Sequence, residues 1–345
     1  MQGQIPTPKS LCLLRLSAIG DVCHAVAMVQ QIQSQYPDIK ITWVLGKVEH
    51  MLLKGLANVE FIVFDKSIGL QGYKDLRAQM RGRHFDVLLH MQAALRASIA
   101  SFFIPAKIKV GFDNSRAREA QWLFTNRKIA HQKNPHVLEG FMGYAEAIGV
   151  NTQKPTWNMP FGEDERHWVA ENITTDKPFA VISPAASKAE RNWTVQGYAQ
   201  AADYLIEKGY NVLLCGGPTA LEKSLASDIS NNSQHELINM VGKTNLKQLL
   251  AVLEQAKLVI APDTGPAHMA TTVGTPVIGL YAHSNPKRTG PYLDQDNVVS
   301  VYDECVIAQY GKPWTELPWN TRCKGELMNK ISFTQVQQKI DKLLD

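Results

Sequence analysis

Short, unbroken apolar runs alternate along this chain with longer stretches in which apolar residues recur three or four positions apart. Residues 11–16 (LCLLRL), 39–45, 59–64 and 87–90 are runs of strand length. Between the first two, Val22, Ala25, Val26, Val29 and Ile32 fall on one face of a helix. The scheme repeats from Phe179, with strands at 180–183, 211–215, 256–261 and 276–281 and helices at 195–208 and 220–229. Strands that are apolar throughout and separated by helices predict a parallel sheet covered on both faces. The fold class is therefore α/β, with two doubly wound, Rossmann-like domains. The stretch 153–178, with Pro155, Pro160, Gly162 and Pro178, reads as the linker and divides the chain into 1–160 and 161–345. The last helix, 333–344, carries Phe333, Val336, Ile340 and Leu343 on one side and is free to pack back on the first domain.

Open α/β sheets bind ligands beyond the carboxyl ends of their strands, so the residues just after each strand carry the chemistry. The most informative such segment is Pro262-Asp263-Thr264-Gly265-Pro266-Ala267-His268. A helix starting at Gly265 offers free N–H groups to an anion, Thr264 adds a hydroxyl, and His268 lies one turn on. Asp and Thr are also ordinary helix caps, but a cap does not need Asp, Thr, Gly and His together. This is the pocket of an anionic, phosphorylated ligand. Ser183 and Ser187 follow another strand, and Lys188 or Arg191 just beyond them would neutralise a diphosphate. Glu222, behind the strand end at Gly216-Gly217, is placed to hold ribose hydroxyls or to sit on the surface. In the first half, Asp21 ends the first strand-to-helix turn. There it serves either as a general base for an attacking hydroxyl or as the cap of a helix starting at Val22.

Composition narrows the class. The 345 residues are 45% hydrophobic and 20% charged, as in soluble globular proteins. The first ten residues lack the features of a signal peptide, and five scattered cysteines suit a reducing cytoplasm. The turn at 17–20 has one glycine where a dinucleotide fingerprint needs three, which argues against a nicotinamide enzyme. No cofactor is expected, and no His or Cys spacing suggests a metal site. Charge is uneven. Residues 1–154 hold 19 Lys+Arg against 11 Asp+Glu, a net +8, and residues 155–345 hold 17 against 21, a net −4. The basic density peaks between Arg96 and Lys133, so the first half is expected to meet something anionic. The acidic second half leaves no continuous basic track for nucleic acid.

Together these residues resemble a family: the bacterial lipopolysaccharide heptosyltransferases of glycosyltransferase family 9, which have the two-domain GT-B fold. Leu14-Arg-Leu-Ser-Ala-Ile-Gly-Asp21, Arg191-Asn-Trp193 and Pro262-Asp-Thr-Gly-Pro-Ala-His268 carry the resemblance, with a looser match from Gly111 to Lys128. It is most similar to the type called heptosyltransferase I, which adds the first heptose. The resemblance implies two domains facing across a cleft, the first binding acceptor and the second nucleotide sugar. Asp21 falls at the proposed catalytic base. Asp263, Thr264, Gly265 and His268, with Ser183, Ser187, Lys188, Arg191 and Glu222, fall on the ADP-heptose donor site. Arg191 stands where heptosyltransferase I enzymes usually have Lys, and the two cations differ in shape. The basic stretch, through Arg96, Arg116, Arg118, Arg127 and Lys128, corresponds to the region receiving a Kdo-lipid A acceptor. The implied place is the cytoplasmic face of the inner membrane, in peripheral contact. A nucleotide-sugar epimerase, a transferase for a later core sugar and a non-catalytic binder of anionic lipid are the rival readings.

Overall fold

The computed structural model describes residues 5–344, and the chain divides into two compact units, Met1–Pro160 and Phe161–Asp345. The first unit runs β1 (Ser10–Leu14), α1 (Ile19–Gln35), β2 (Lys40–Leu45), α2 (Lys47–Leu53), β3 (Val59–Val63), α3 (Leu70–Gln79), β4 (Phe85–His90), α4 (Leu95–Phe102), β5 (Ala106–Gly111), β6 (Arg127–Lys128) and α5 (Val137–Ala147). Its six strands are all parallel, in the order β3-β2-β1-β4-β5-β6. Leu11, Cys12, Leu13 and Leu14 of β1 are fully buried, because a central parallel strand is covered on both faces.

The second unit runs α6 (Glu163–Asn172), β7 (Phe179–Ile182), α7 (Val195–Glu207), β8 (Asn211–Leu214), α8 (Ala220–Asn232), β9 (Ile238–Asn239), α9 (Leu246–Gln255), β10 (Val259–Pro262), α10 (Gly265–Thr272), β11 (Val277–Tyr281), α11 (Pro286–Thr289), β12 (Val299–Ser300), α12 (Tyr302–Tyr310) and α13 (Phe333–Leu344). Its sheet is parallel in the order β12-β11-β10-β7-β8-β9. Counted from the first strand of each unit, the two orders are the same. Each chain path goes outward one way from its first strand, then crosses over to continue on the other side. The strand order therefore reverses beside β1 and between β7 and β10, where open sheets leave a crevice for ligands. The α/β class and doubly wound topology are those expected from the hydrophobic pattern.

Two local expectations are corrected. The strand expected at 256–261 starts only at Val259, because α9 ends just before it, with Ala256 as its C-cap. Asn245 opens that helix by accepting the N–H groups of Lys247 and Gln248, while Gln248 accepts the N–H of Asn245. The last helix spends its apolar face inside the second unit. Val336 and Ile340 are buried in the core that also holds Tyr198 and Leu205 of α7, and Tyr204 donates to Asp341 at 2.6 Å.

Candidate active site

In the first unit, α1 begins at Ile19, after four residues that link it to β1, so Asp21 sits in its first turn rather than capping a helix at Val22. Its Oδ2 accepts the Ala18 N–H at 3.1 Å and pairs with Arg15 Nη2 at 2.5 Å. Arg15 is fixed in turn. Its Nη1 donates to the Met91 carbonyl at 2.6 Å, and its guanidinium lies 5.4 Å from the Phe141 ring centroid. The side chain of Asp21 stays 26% exposed against 12% for Arg15. The carboxylate is thus held at one edge and open at the other, at the switch point beside β1, which suits a group that must take a proton from a bound hydroxyl. Arg15 was not singled out from the sequence. Its signal was a charged residue closing an otherwise apolar strand. The neighbouring loop is tied in by Gln92, whose Oε1 accepts the Leu16 N–H at 2.7 Å.

In the second unit, Asp263 follows β10 at the other switch point. Its Oδ2 accepts the Ser284 hydroxyl at 2.7 Å and lies 3.5 Å from Arg191 Nη1, while Oδ1 is 3.9 Å from His268 Nε2. Burial pushes the carboxyl up, but His268, Ser284 and Arg191 outweigh it and hold it at about 2. Arg191 Nη2 also donates to Ser187 Oγ at 2.5 Å, so Ser187, Arg191, Asp263, Ser284 and His268 form one connected group. Ser284 was missed because it lies three residues past the end of β11, in a segment that shows no motif.

Thr264 occupies the N-cap position of α10 yet makes no capping bond, and its Oγ1 is buried without a hydrogen-bond partner. A simple cap would have used that hydroxyl. Instead a donor and acceptor stands idle at the start of a helix whose first N–H groups have no intrahelical acceptor. An anion seated there would satisfy both.

The remaining candidates differ in fit. Ser183 follows β7, is buried, and donates its N–H to the Ile260 carbonyl of β10 at 3.0 Å. Lys188 is exposed and outside the connected group. Glu222 accepts the Gly217 N–H at 2.8 Å and the Thr219 hydroxyl at 2.6 Å, bracing the loop after β8. A Cβ at Gly217 would meet Glu222 Oε2 at 2.9 Å, so a side chain there would shift the carboxylate. Trp193 packs, 2% exposed, with its indole N–H on the Ile331 carbonyl.

Among the basic candidates, Arg116 is corrected. Its side chain is 1% exposed, paired with Asp113 at 3.1 Å and donating to the Asn134 carbonyl at 2.6 Å, so it staples a loop and presents no surface. Arg96 and Lys128 are exposed and Arg118 and Arg127 half-buried, on the segments at and after the carboxyl ends of β4 and β5.

Comparison with known proteins gives a consistent result. The profile of glycosyltransferase family 9 (heptosyltransferase) matches residues 73–317. A lipopolysaccharide core heptosyltransferase, OpsX of Haemophilus influenzae, is 48% identical over 97% of both chains. Among solved structures, a family 9 glycosyl transferase from Veillonella parvula aligns over 97% of each chain at 21% identity, with a TM-score of 0.78. The E. coli heptosyltransferase WaaC, solved with ADP, aligns over 97% of this chain and 99% of its own at 21% identity, with a TM-score of 0.72.

Proposed function

The chain belongs to glycosyltransferase family 9, the heptosyltransferases, and from that membership we propose that it transfers heptose from ADP-heptose to a Kdo hydroxyl of Kdo-lipid A, inverting the anomeric carbon. The observation that carries the mechanism is Asp21, a half-open carboxylate held by Arg15 at the switch point of the first unit. Asp21 takes the proton of the acceptor hydroxyl as its oxygen attacks the anomeric carbon from the face opposite the diphosphate. The bond from that carbon to the phosphate oxygen breaks, and ADP leaves carrying the electron pair.

Negative charge therefore grows on the diphosphate in the transition state. The N-terminus of α10, the Thr264 hydroxyl and the Arg191 guanidinium are fixed groups of the right polarity to stabilise it there more than in the ground state. Asp263 is not the base in this reading. Its carboxylate is occupied by Ser284 and Arg191 and orients the guanidinium. Arg96, Arg118, Arg127 and Lys128 supply cations for the acidic acceptor, and Glu222 has lone pairs left for the ribose. The relative named for the lipopolysaccharide core supports an acceptor in the core region. On this reading the reaction occurs at the cytoplasmic face of the inner membrane.

The test is release of ADP from ADP-heptose with two acceptors, Kdo-lipid A and the same lipid already carrying a first heptose, with Asp21→Ala alongside. Release with the first acceptor alone, abolished in the variant, supports the reading. Release with the second alone moves the chain to a later core position, and acceptor-independent release unaffected by the variant removes Asp21 as the base.

A further inference from the structure

Helix α4 is amphipathic the wrong way round. The face turned into the first unit is made of Ala97, Ser98, Ala100 and Ser101, all buried, with Ser98 Oγ 3.2 Å from His90 Nε2. The face turned outward carries Leu95, Ile99 and Phe102, spaced four and three apart and so aligned in one stripe. Phe102 is 75% exposed. A globular helix normally buries such a stripe.

The stripe is extended by a neighbouring segment. Phe102 and Leu123 line the same surface pocket, and Leu123 with Trp122 belongs to the short turn Gln121–Leu123. Leu123 is 64% and Trp122 60% exposed. That turn is fastened to α4 by Glu119, whose Oε2 accepts the Leu95 N–H at 2.6 Å. On the other flank, the Tyr73 hydroxyl of α3 donates to the Arg96 carbonyl at 3.4 Å, and Leu70, one turn earlier on α3, is exposed. Five large apolar side chains on two tethered segments make a patch that a monomeric surface rarely leaves open.

Three cations and one carboxylate, the tethering Glu119, lie beside it. Arg96 projects from α4 within the stripe, Lys109 lines the same pocket as Phe102 with its Nζ on the Ser101 carbonyl, and half-buried Arg118 precedes the tethering Glu119. An apolar ridge rimmed by cations fits the boundary between headgroups and acyl chains of an anionic bilayer. No helix among the described residues is long and apolar enough to cross a membrane, so the contact is made from one side. Helix α4 also begins just after the loop whose Met91 carbonyl and Gln92 side chain hold Arg15 and Leu16. The patch therefore starts next to the turn that carries Asp21.

We propose that the outer face of α4, with Trp122 and Leu123, docks the first unit onto an anionic lipid bilayer. The docking holds Asp21 at the headgroup level, where the sugar of an amphiphilic acceptor emerges. The proposal rests on the heptosyl-transfer reading for its purpose but not for its test.

The experiment is co-sedimentation with vesicles of phosphatidylethanolamine and phosphatidylglycerol that contain no acceptor. It compares the native protein, Phe102→Ser and the triple variant Ile99→Ser, Phe102→Ser, Leu123→Ser. The native protein should pellet with the vesicles, the single variant should partition several-fold less, and the triple variant should lose roughly tenfold or more. Heptosyl transfer to a deacylated, water-soluble acceptor should be unchanged in all three. The proposal is overturned if the native protein stays in the supernatant, or if Phe102→Ser and the triple variant bind as well as it does. It is also overturned if the native protein elutes as a dimer that the substitutions dissociate, since the patch would then join two copies of this chain. Should the triple variant fail to fold, Phe102→Ser alone decides. Absence of transfer with vesicle binding intact would sink the catalytic reading and leave the docking surface standing.

Discussion

Arg15 Nη2 and Asp21 Oδ2 stand 2.5 Å apart across the turn between β1 and α1, and the arginine's other terminal nitrogen is tied to the Met91 carbonyl. The carboxylate proposed as the base is therefore oriented by a residue that is itself anchored to the next strand. Asp21→Ala should lower kcat by about 10²–10⁴, the usual contribution of a positioned base. Arg15→Ala should lower kcat less, by roughly 10-fold, because it frees the base without removing it. Donor KM should change little in either variant, and Arg15→Lys should recover part of the loss. Steady-state kinetics at saturating acceptor separate these outcomes; a donor KM that rises with kcat intact in Arg15→Ala would assign the arginine to donor binding.

Thr264 offers a test in which affinity and stability move in opposite directions. Its hydroxyl is buried and unpartnered, so Thr264→Val should stabilise the protein, by about 1 kcal/mol, by removing an unsatisfied polar group. The same change should weaken ADP binding, by roughly 10-fold, through loss of one hydrogen bond to charge. Calorimetric titration with ADP and thermal unfolding read the two effects. A variant that binds ADP normally would remove the hydroxyl from the donor site.

Asp263 makes stability depend on acid. Its carboxyl sits at about 2 in the fold against an ordinary 3.8. A depressed folded value contributes stability above the unfolded value and loses it as pH falls through the folded one. The contribution, about 2 kcal/mol, should be complete above pH ~4 and decline between pH ~4 and ~2. Asp263→Asn should abolish that segment of the pH profile and cost roughly 2 kcal/mol near neutrality, since the largely enclosed Arg191 loses its counter-charge. Urea unfolding of both proteins across this pH range provides the comparison.

The basic residues of the first unit should separate into two kinds. Arg116→Ala breaks a buried pair and should destabilise the protein by about 3–5 kcal/mol. Arg96→Ala and Lys128→Ala remove exposed cations and should leave stability within about 0.5 kcal/mol while raising acceptor KM. Equal unfolding midpoints for all three variants would contradict the burial of Arg116.

How much was legible in the sequence follows from what each signal measures. Apolar runs and helical spacing report burial along the chain, so both doubly wound sheets could be read from residues 11–16 or 276–281. Asp21 and Asp263 stood out because polar residues just past an apolar strand lie at a sheet's carboxyl edge. Arg116 was misplaced because a charge count carries no information on burial. The guanidinium that looks like surface is folded onto Asp113 and the Asn134 carbonyl. Arg15 and Ser284 were invisible for a related reason: each matters through a partner that only the fold brings near. Helix α9 escaped notice because only three residues separate it from β10, and the apolar Ala256 and Leu258 among them blur the boundary.

The two sheets share one strand order, yet the switch point beside β1 presents a carboxylate paired with Arg15 and the one between β7 and β10 a carboxylate paired with Arg191 at the start of α10. In the proposed reaction a single architectural position serves two opposite electrical tasks, proton uptake in one unit and charge acceptance in the other. Each task is built from loops that its own sheet supports and its own core stabilises. On the proposed reading, substitutions that alter acceptor preference fall in the first unit and those that alter donor grip fall in the second.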